Sequence, residues 1–451
     1  MEPVIVQQPV GDNPPKSILY YGQHVIDILR QLPPDSVHCV MTSPPYWGLR
    51  DYGTPPVKWA VEGTDNHGDI WEGSLGLETT VGAYVAHLVQ VFREVRRVLR
   101  PDGTLWVNLG DSYMSHPPGS KDNLNHMGGF QGKRLRDHAE YQDALDGINT
   151  PRELSDGLKD KDLVGVPWRV ALALQADGWW LRRDIIWHKP NPMPESVTDR
   201  CTTAHEYVFM FTKTSRYFYD ADAIREPCVS GPSDIRKMEE QKSRISAKHL
   251  THDSGPLAAA NPNSNIGKKR GVGSPYGRNR RSVWLIATEP YKGAHFATWP
   301  EDLVEIMIKA GTSEKGCCPA CGNPWVKILA RERIPDRRYR VQKRPNDTIE
   351  IAHGPDGRAG NRYLTNLWST GWEPSCACNQ PPVRCTVMDI FSGSGTTGAV
   401  ANRLGRDYIG IDLGTKYLEL AKARILGMNA PKENSTDDRQ GGALDLFGDD
   451  E

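Results

Sequence analysis

The stretch from Val387 to Asp412 narrows the possible folds most. Val387-Met388-Asp389-Ile390-Phe391 is a short apolar run of strand character, and Asp407-Tyr408-Ile409-Gly410-Ile411 is a second, ending in Asp412. Between them lie the glycine-rich turn Ser392-Gly393-Ser394-Gly395-Thr396-Thr397-Gly398 and the helical pattern Ala399 to Leu404. Further strand patterns alternating with helical ones, described below, specify an α/β protein with a mostly parallel, doubly wound sheet. The glycines let backbone N–H groups at a helix N-terminus approach an anionic ligand. Asp412 is placed to accept from ribose hydroxyls. A glycine turn alone is equally a tight structural turn; the strand and carboxylate that follow favour a nucleoside-cofactor site. Its expected lining is Asp389, Phe391, Gly393, Gly395, Thr396, Thr397 and Asp412. On this reading Gly395→Val blocks the cofactor and leaves the fold intact.

Far upstream, the apolar run Val37-His38-Cys39-Val40-Met41-Thr42 ends in Ser43-Pro44-Pro45-Tyr46. Two prolines fix φ and remove two backbone donors, so the sheet cannot continue and carbonyls remain free. The result is a rigid pocket of acceptors, one hydroxyl and one aromatic plate. Such a pocket suits the exocyclic amine of a flat nucleobase, although a plain Pro-Pro turn at a strand end is the competing reading. Around it, Ser17 to Tyr46 reads strand, helix (Val25 to Leu32), strand. Tyr84 to Leu99 has helical spacing, Arg100-Pro101-Asp102-Gly103 reads as a turn, and Thr104 to Leu109 as a buried strand. Val166 to Gln175 reads as a helix, Trp180 to Lys189 and Ser282 to Ala287 as strands, and Glu301 to Ala310 as a helix. Residues 113–160 are polar and too long for a simple connection, and are expected to form a mobile loop over the active site.

Together the Ser43–Tyr46 turn and the glycine loop resemble the DNA amino-methyltransferases, which methylate N4 of cytosine or N6 of adenine with S-adenosylmethionine (SAM). The catalytic tetrapeptide precedes the cofactor loop, which is similar to the permuted order of that family's β class. Asp184-Ile185-Ile186-Trp187-His188-Lys189-Pro190-Asn191 and His205-Glu206-Tyr207-Val208-Phe209-Met210-Phe211 match two further family segments. The resemblance implies a circularly permuted, Rossmann-like SAM-dependent methyltransferase fold with insertions. It implies Ser43, Pro44, Pro45 and Tyr46 as catalytic residues, acting on a base flipped from double-stranded DNA. It adds His295, Phe296 and Trp299, in His295 to Pro300, to the cofactor site. Gly22-Gln23 stands where the family often has Gly-Asp, so an adenine contact assigned there does not transfer. Family members with Ser at the first motif position are mostly cytosine-N4 enzymes, with adenine N6 the alternative.

The implied organisation is a catalytic half at 16–221, a target-recognition insertion at 222–282, a cofactor segment at 283–314, a cysteine-rich module at 315–380, a SAM-binding half at 381–428 and a disordered acidic tail at 429–451. Net charge is −1, yet the span from Gly255 to Arg281 has basic and no acidic residues, and a local basic surface suffices for nucleic acid. A disordered insertion is the other reading of 222–282, and both hold if it orders on DNA. A second basic run, Arg331 to Arg344, is either DNA-facing or a solvated face. Cys318-x2-Cys321 with Gly322, and Cys376-x-Cys378, offer four thiolates for structural zinc; free thiols are the alternative. Cys39 and Cys385 fall in apolar strands and are expected in the core. The absence of a membrane-length apolar run or signal-peptide pattern points to a cytoplasmic protein. In the tail, Ala443-Leu444-Asp445-Leu446-Phe447 resembles the peptide by which bacterial repair proteins dock on the sliding clamp, with Ala443 in place of glutamine; an incidental apolar cluster is the competing reading.

Other chemistries fit less well. Pro227-Cys228 offers the Pro-Cys pair of a cytosine-C5 enzyme, but in a polar segment and in the wrong motif order. A dehydrogenase leaves Thr42 to Tyr46 without a role. An RNA or protein methyltransferase, or a non-catalytic DNA-binding module, would share the turn without the activity on DNA.

Overall fold

The computed structural model describes residues 2–7, 14–49, 51–60, 70–114, 157–226, 278–289, 298–335, 340–342, 351–353 and 363–428. Most of the expected active-site loop, the basic segment, Cys228, His295, Phe296 and the tail with its apolar patch lie outside the described residues, as do the side chains of Arg331 to Arg344.

Among the described residues nine strands form the central sheet: β1 (Val4–Gln7), β2 (Lys16–Tyr21), β3 (Val37–Thr42), β6 (Leu99–Leu109), β7 (Trp180–His188), β8 (His205–Thr212), β9 (Val283–Leu285), β14 (Thr386–Asp389) and β15 (Asp407–Asp412). Four small strands stand apart as pairs: β4 (Val57–Ala60) with β5 (Ile70–Gly73), and β11 (Arg340–Gln342) with β12 (Ile351–His353). A long hairpin pairs β10 (Trp325–Pro335) with β13 (Tyr363–Pro374). The sheet order is β1-β2-β15-β14-β3-β6-β8-β7-β9, and only β1 and β8 run against the others. This is the mostly parallel α/β sheet anticipated, and its permutation is visible in the order. The two strands nearest the C-terminus occupy the slot between β2 and β3.

The central strands carry apolar side chains on both faces, as buried parallel strands must. Along β6, Leu105, Val107 and Leu109 enter one core while Trp106 enters the other; along β8, Phe209 and Phe211 oppose Val208 and Met210. The first core is covered by α1 (Val25–Gln31), α2 (Val81–Val98) and α3 (Val166–Ala176). The second is covered by α4 (Glu301–Gly311), α5 (Thr396–Arg403) and α6 (Leu418–Ile425). α2 begins one turn before its apolar spacing suggests, because the Thr80 side chain caps it by accepting from the Ala83 N–H at 3.1 Å. The turn expected at Arg100–Gly103 is a bulge within β6: Leu99 pairs with Val37 and Thr104 with Cys39. The Arg100 side chain thereby reaches the cysteine module, donating to the Cys321 carbonyl (2.9 Å) and to Asn323 Oδ1 (3.2 Å).

Candidate active site

β3 and β14 are parallel neighbours, so the turn after Thr42 and the turn after Asp389 open at the same edge of the sheet. Thr42 Oγ1 donates to Asp389 Oδ1 at 2.8 Å and joins the two motifs directly. The Phe391 N–H donates to the same oxygen (3.1 Å), and Thr397 Oγ1 to Oδ2 (2.6 Å). Burial pushes the Asp389 carboxyl up to about 6, against the lowering effect of Thr397, Thr42 and Phe391. Asp412 is also pushed up to about 6 by burial, while its oxygens accept from the Gly393 and Gly414 N–H groups, each at 2.7 Å. Tyr21 Oη donates to the Gly393 carbonyl (2.7 Å), clamping the loop from β2. Thr396 and Thr397 are buried, and Thr397 serves to orient Asp389.

The two central glycines of the loop differ. Gly393 has φ +48° and a side chain there would meet nothing within 4 Å. Gly395 has φ +76°, but its missing side chain points at α6, 2.9 Å from Ala421 Cα and Cβ. The expectation for Gly395→Val is therefore corrected: that residue permits loop-to-helix packing, and Gly393 is the one facing open space. Trp299 is half-buried before α4, packed against the second core.

The Ser43-Pro44-Pro45-Tyr46 turn is braced on all sides. Tyr84 Oη donates to the Pro45 carbonyl (2.8 Å), Trp47 Nε1 to the Glu78 carbonyl (2.9 Å) and the Gly48 N–H to the Gly76 carbonyl (2.7 Å). Among the described residues no comparable donor takes the Pro44 carbonyl. The Tyr46 ring lies over Gly110, where any side chain would come within 2.7 Å of it. Its hydroxyl is held by Glu206 Oε2 (2.7 Å), with Asn108 Oδ1 at 3.1 Å, and Ser43 Oγ lies 3.3 Å from it. Burial, then the Glu206 charge, pushes the Tyr46 phenol well above its ordinary range, so it stays a donor. Asn108, Glu206 and Lys189, whose ammonium pairs with Glu206, were not singled out by sequence. The sequence hints at two of them: Lys189 and Glu206 fall in the two further segments that resemble the family, as polar residues at the ends of apolar strands.

At the other end of the sheet, Cys318, Cys321, Cys376 and Cys378 bring their sulfurs within 4.8 Å of one another. The Cys318 thiol is drawn down to about 7, chiefly by the Cys321 backbone N–H. The β10–β13 pairing explains the long spacing: Trp325 lies opposite Pro374, which returns the second cysteine pair to the first. His38, Cys317 and Cys385 form a second cluster, but both nitrogens of His38 are engaged. Nδ1 accepts from the Thr386 N–H (3.1 Å) and Nε2 donates to the Gly322 carbonyl (3.2 Å). Cys39 and Cys385 are buried, as anticipated.

A Ser-Pro-Pro-Tyr turn and a glycine loop share one edge of a permuted α/β sheet, the arrangement that the sequence resemblance implies for a methyltransferase of exocyclic amines. The comparisons agree: a family profile described as DNA methylase, of the N6/N4 type, matches residues 37–318 and 382–423, and the chain belongs to that family of DNA amino-methyltransferases. Type II methyltransferase M.XycI of Xanthomonas campestris pv. cyanopsidis is 35% identical over 92% of this chain and 89% of its own length. M.Cfr9I of Citrobacter freundii is 33% identical over 89% and 85%, and M.SmaI of Serratia marcescens 34% over 86% and 84%. Among solved structures, the PvuII DNA methyltransferase (cytosine-N4-specific) aligns over 92% of this chain and 90% of its own, at 16% identity and a TM-score of 0.43. Among the described residues no helix is long and apolar enough to cross a membrane.

Proposed function

We propose that the protein transfers a methyl group from SAM to the N4 amine of a cytosine flipped out of duplex DNA. The observation that carries this reading is the Thr42–Asp389 hydrogen bond, which sets the acceptor turn beside the glycine loop. SAM supplies an electrophilic methyl on a sulfonium. The loop fits such a donor, since Gly393 opens onto free space and Asp412 ends β15 with acceptor oxygens. The amine's lone pair is delocalised into the base, so it is a poor nucleophile. Ser43 Oγ and the Pro44 carbonyl accept its two N–H bonds, draw the nitrogen toward tetrahedral geometry and free the lone pair. Alignment in the crevice supplies much of the remaining acceleration, and the Tyr46 ring stacks on the base. Cytosine is favoured over adenine by the serine at the first motif position.

Mass spectrometry of nucleosides from DNA methylated by the purified protein tests the base. N4-methylcytosine is the expected product, and N6-methyladenine alone would overturn the choice. The loop is tested by Gly393→Ala, whose left-handed φ costs about 1–2 kcal/mol of stability. Calorimetry should show its SAM affinity reduced about tenfold or more, one hydrogen-bonded contact's worth or above. Gly395→Val should instead lose the fold in thermal melts. Undiminished SAM binding by Gly393→Ala would remove the loop from the cofactor site.

We further propose that Cys318, Cys321, Cys376 and Cys378 hold one zinc ion. Four thiolates leave no open coordination position, so the metal's role is structural.

A further inference from the structure

We propose that Glu206 is a positioning residue that turns the Ser43 hydroxyl hydrogen away from the target amine. This rests on the amine-transfer reading above. A serine hydroxyl offers one hydrogen and two lone pairs. Left free to rotate, it can point its hydrogen at the amine and compete with the donors it must accept. Four strands supply the groups that settle the matter: Ser43 and Tyr46 follow β3, Asn108 lies on β6, Lys189 follows β7 and Glu206 lies on β8.

The polarity of the network is fixed from its charged end. Lys189 Nζ pairs with Glu206 Oε1 and lies 4.5 Å over the Trp187 ring. Glu206 Oε2 then accepts from Tyr46 Oη at 2.7 Å and from Asn108 Nδ2 at 3.0 Å. The second Asn108 N–H goes to the Tyr207 carbonyl at 3.1 Å. With both amide hydrogens spent, Asn108 must present Oδ1 to the hydroxyls. The single phenolic hydrogen goes to the carboxylate, the shorter and charge-assisted bond. Among the described residues only acceptors therefore remain for Ser43: Tyr46 Oη at 3.3 Å and Asn108 Oδ1 at 3.4 Å. Its hydrogen turns inward, and its lone pairs face the crevice.

Glu206→Gln is the discriminating substitution, because it keeps the shape and reverses the polarity. The new carbonyl must face Lys189, so the new NH2 confronts the Asn108 Nδ2 hydrogens, and the phenolic hydrogen, with no carboxylate to take it, turns to Asn108 Oδ1 at 3.1 Å and competes for the acceptor offered to Ser43. Single-turnover methyl transfer to duplex DNA should fall about 100-fold, the lower end for one misdirected acceptor. SAM and DNA affinities should stay within about threefold, as for an interaction made only in the transition state. Glu206→Asp, which keeps the acceptor, should recover about tenfold of the loss. Thermal melts identify any variant that fails to fold, and Glu206→Asp then carries the comparison.

The second arm places Glu206→Gln in a Ser43→Ala background. If Glu206 acts through the Ser43 hydroxyl, the second substitution adds little, within about threefold. A purely structural role would instead multiply the two losses. Full multiplication, or a Glu206→Gln rate within about threefold of wild type, would overturn the inference. Failure of the amine-transfer reading would show differently, as wild-type protein that methylates no exocyclic amine.

Discussion

Replacing Ser43 with alanine is expected to slow single-turnover methyl transfer about 10²–10³-fold, the usual cost of one oriented group at a reacting centre. The loss is no larger because the Pro44 carbonyl remains as the second acceptor. Little else should change. Ser43 is half-buried and, among the described residues, bonds only within the polar network. The proline pair still fixes the turn, and the Thr42–Asp389 bond still couples it to the glycine loop. SAM affinity measured by calorimetry should accordingly stay within about twofold. A variant as fast as wild type would mean that another acceptor grips the amine, and Ser43 would leave the catalytic set.

Stripping the cysteine module of metal is expected to have the larger effect on stability. The module is not a loose appendage. Arg100 and His38 bond to the carbonyls of Cys321 and Gly322, and a side chain at Gly322 would lie 2.0 Å from the Arg100 guanidinium. The knuckle is thus seated on the first residues of β3 and β6, the strands whose far ends place Ser43, just after β3, and Asn108, within β6. A metal at about a thousandfold over its Kd stabilises the folded state by about 4 kcal/mol. For a chain of 451 residues, with an unfolding entropy of about 2.1 cal/mol/K per residue, that corresponds to a fall of roughly 4 °C in Tm on removal. Elemental analysis should find one zinc per chain, and Cys376→Ser with Cys378→Ser should mimic the stripped protein. Metal-free protein, purified without chelator and melting at the same temperature with or without added zinc, would refute the site.

What was legible in the sequence was local chemistry. Ser43 to Tyr46 and Gly393 to Gly398 announce themselves because prolines and glycines constrain their own backbone. The cysteine pairs were readable for the same reason, since a metal knuckle needs close spacing. Three things were not. Asn108, Glu206 and Lys189 converge from separate strands, and their meeting depends on sheet order rather than spacing. The direction of Gly395 depends on its φ and on where α6 packs, neither of which a glycine pattern encodes. The arm between the cysteine pairs carried no strong strand alternation, so the β10–β13 hairpin that closes the site emerged only in three dimensions.

The interleaved sheet order bears on how this chain is made. β2 and β3 are synthesised early, yet each takes its neighbour from residues 386–412. Until the ribosome has passed that point, the centre of the sheet is a gap flanked by two apolar, unpaired strand edges. Such edges template association with other chains, and long-range parallel pairing forms slowly. Translation that halts before β14 therefore leaves not a shorter enzyme but a sticky intermediate. Synthesis of residues 386–412 is thus the step at which the centre of this sheet can close.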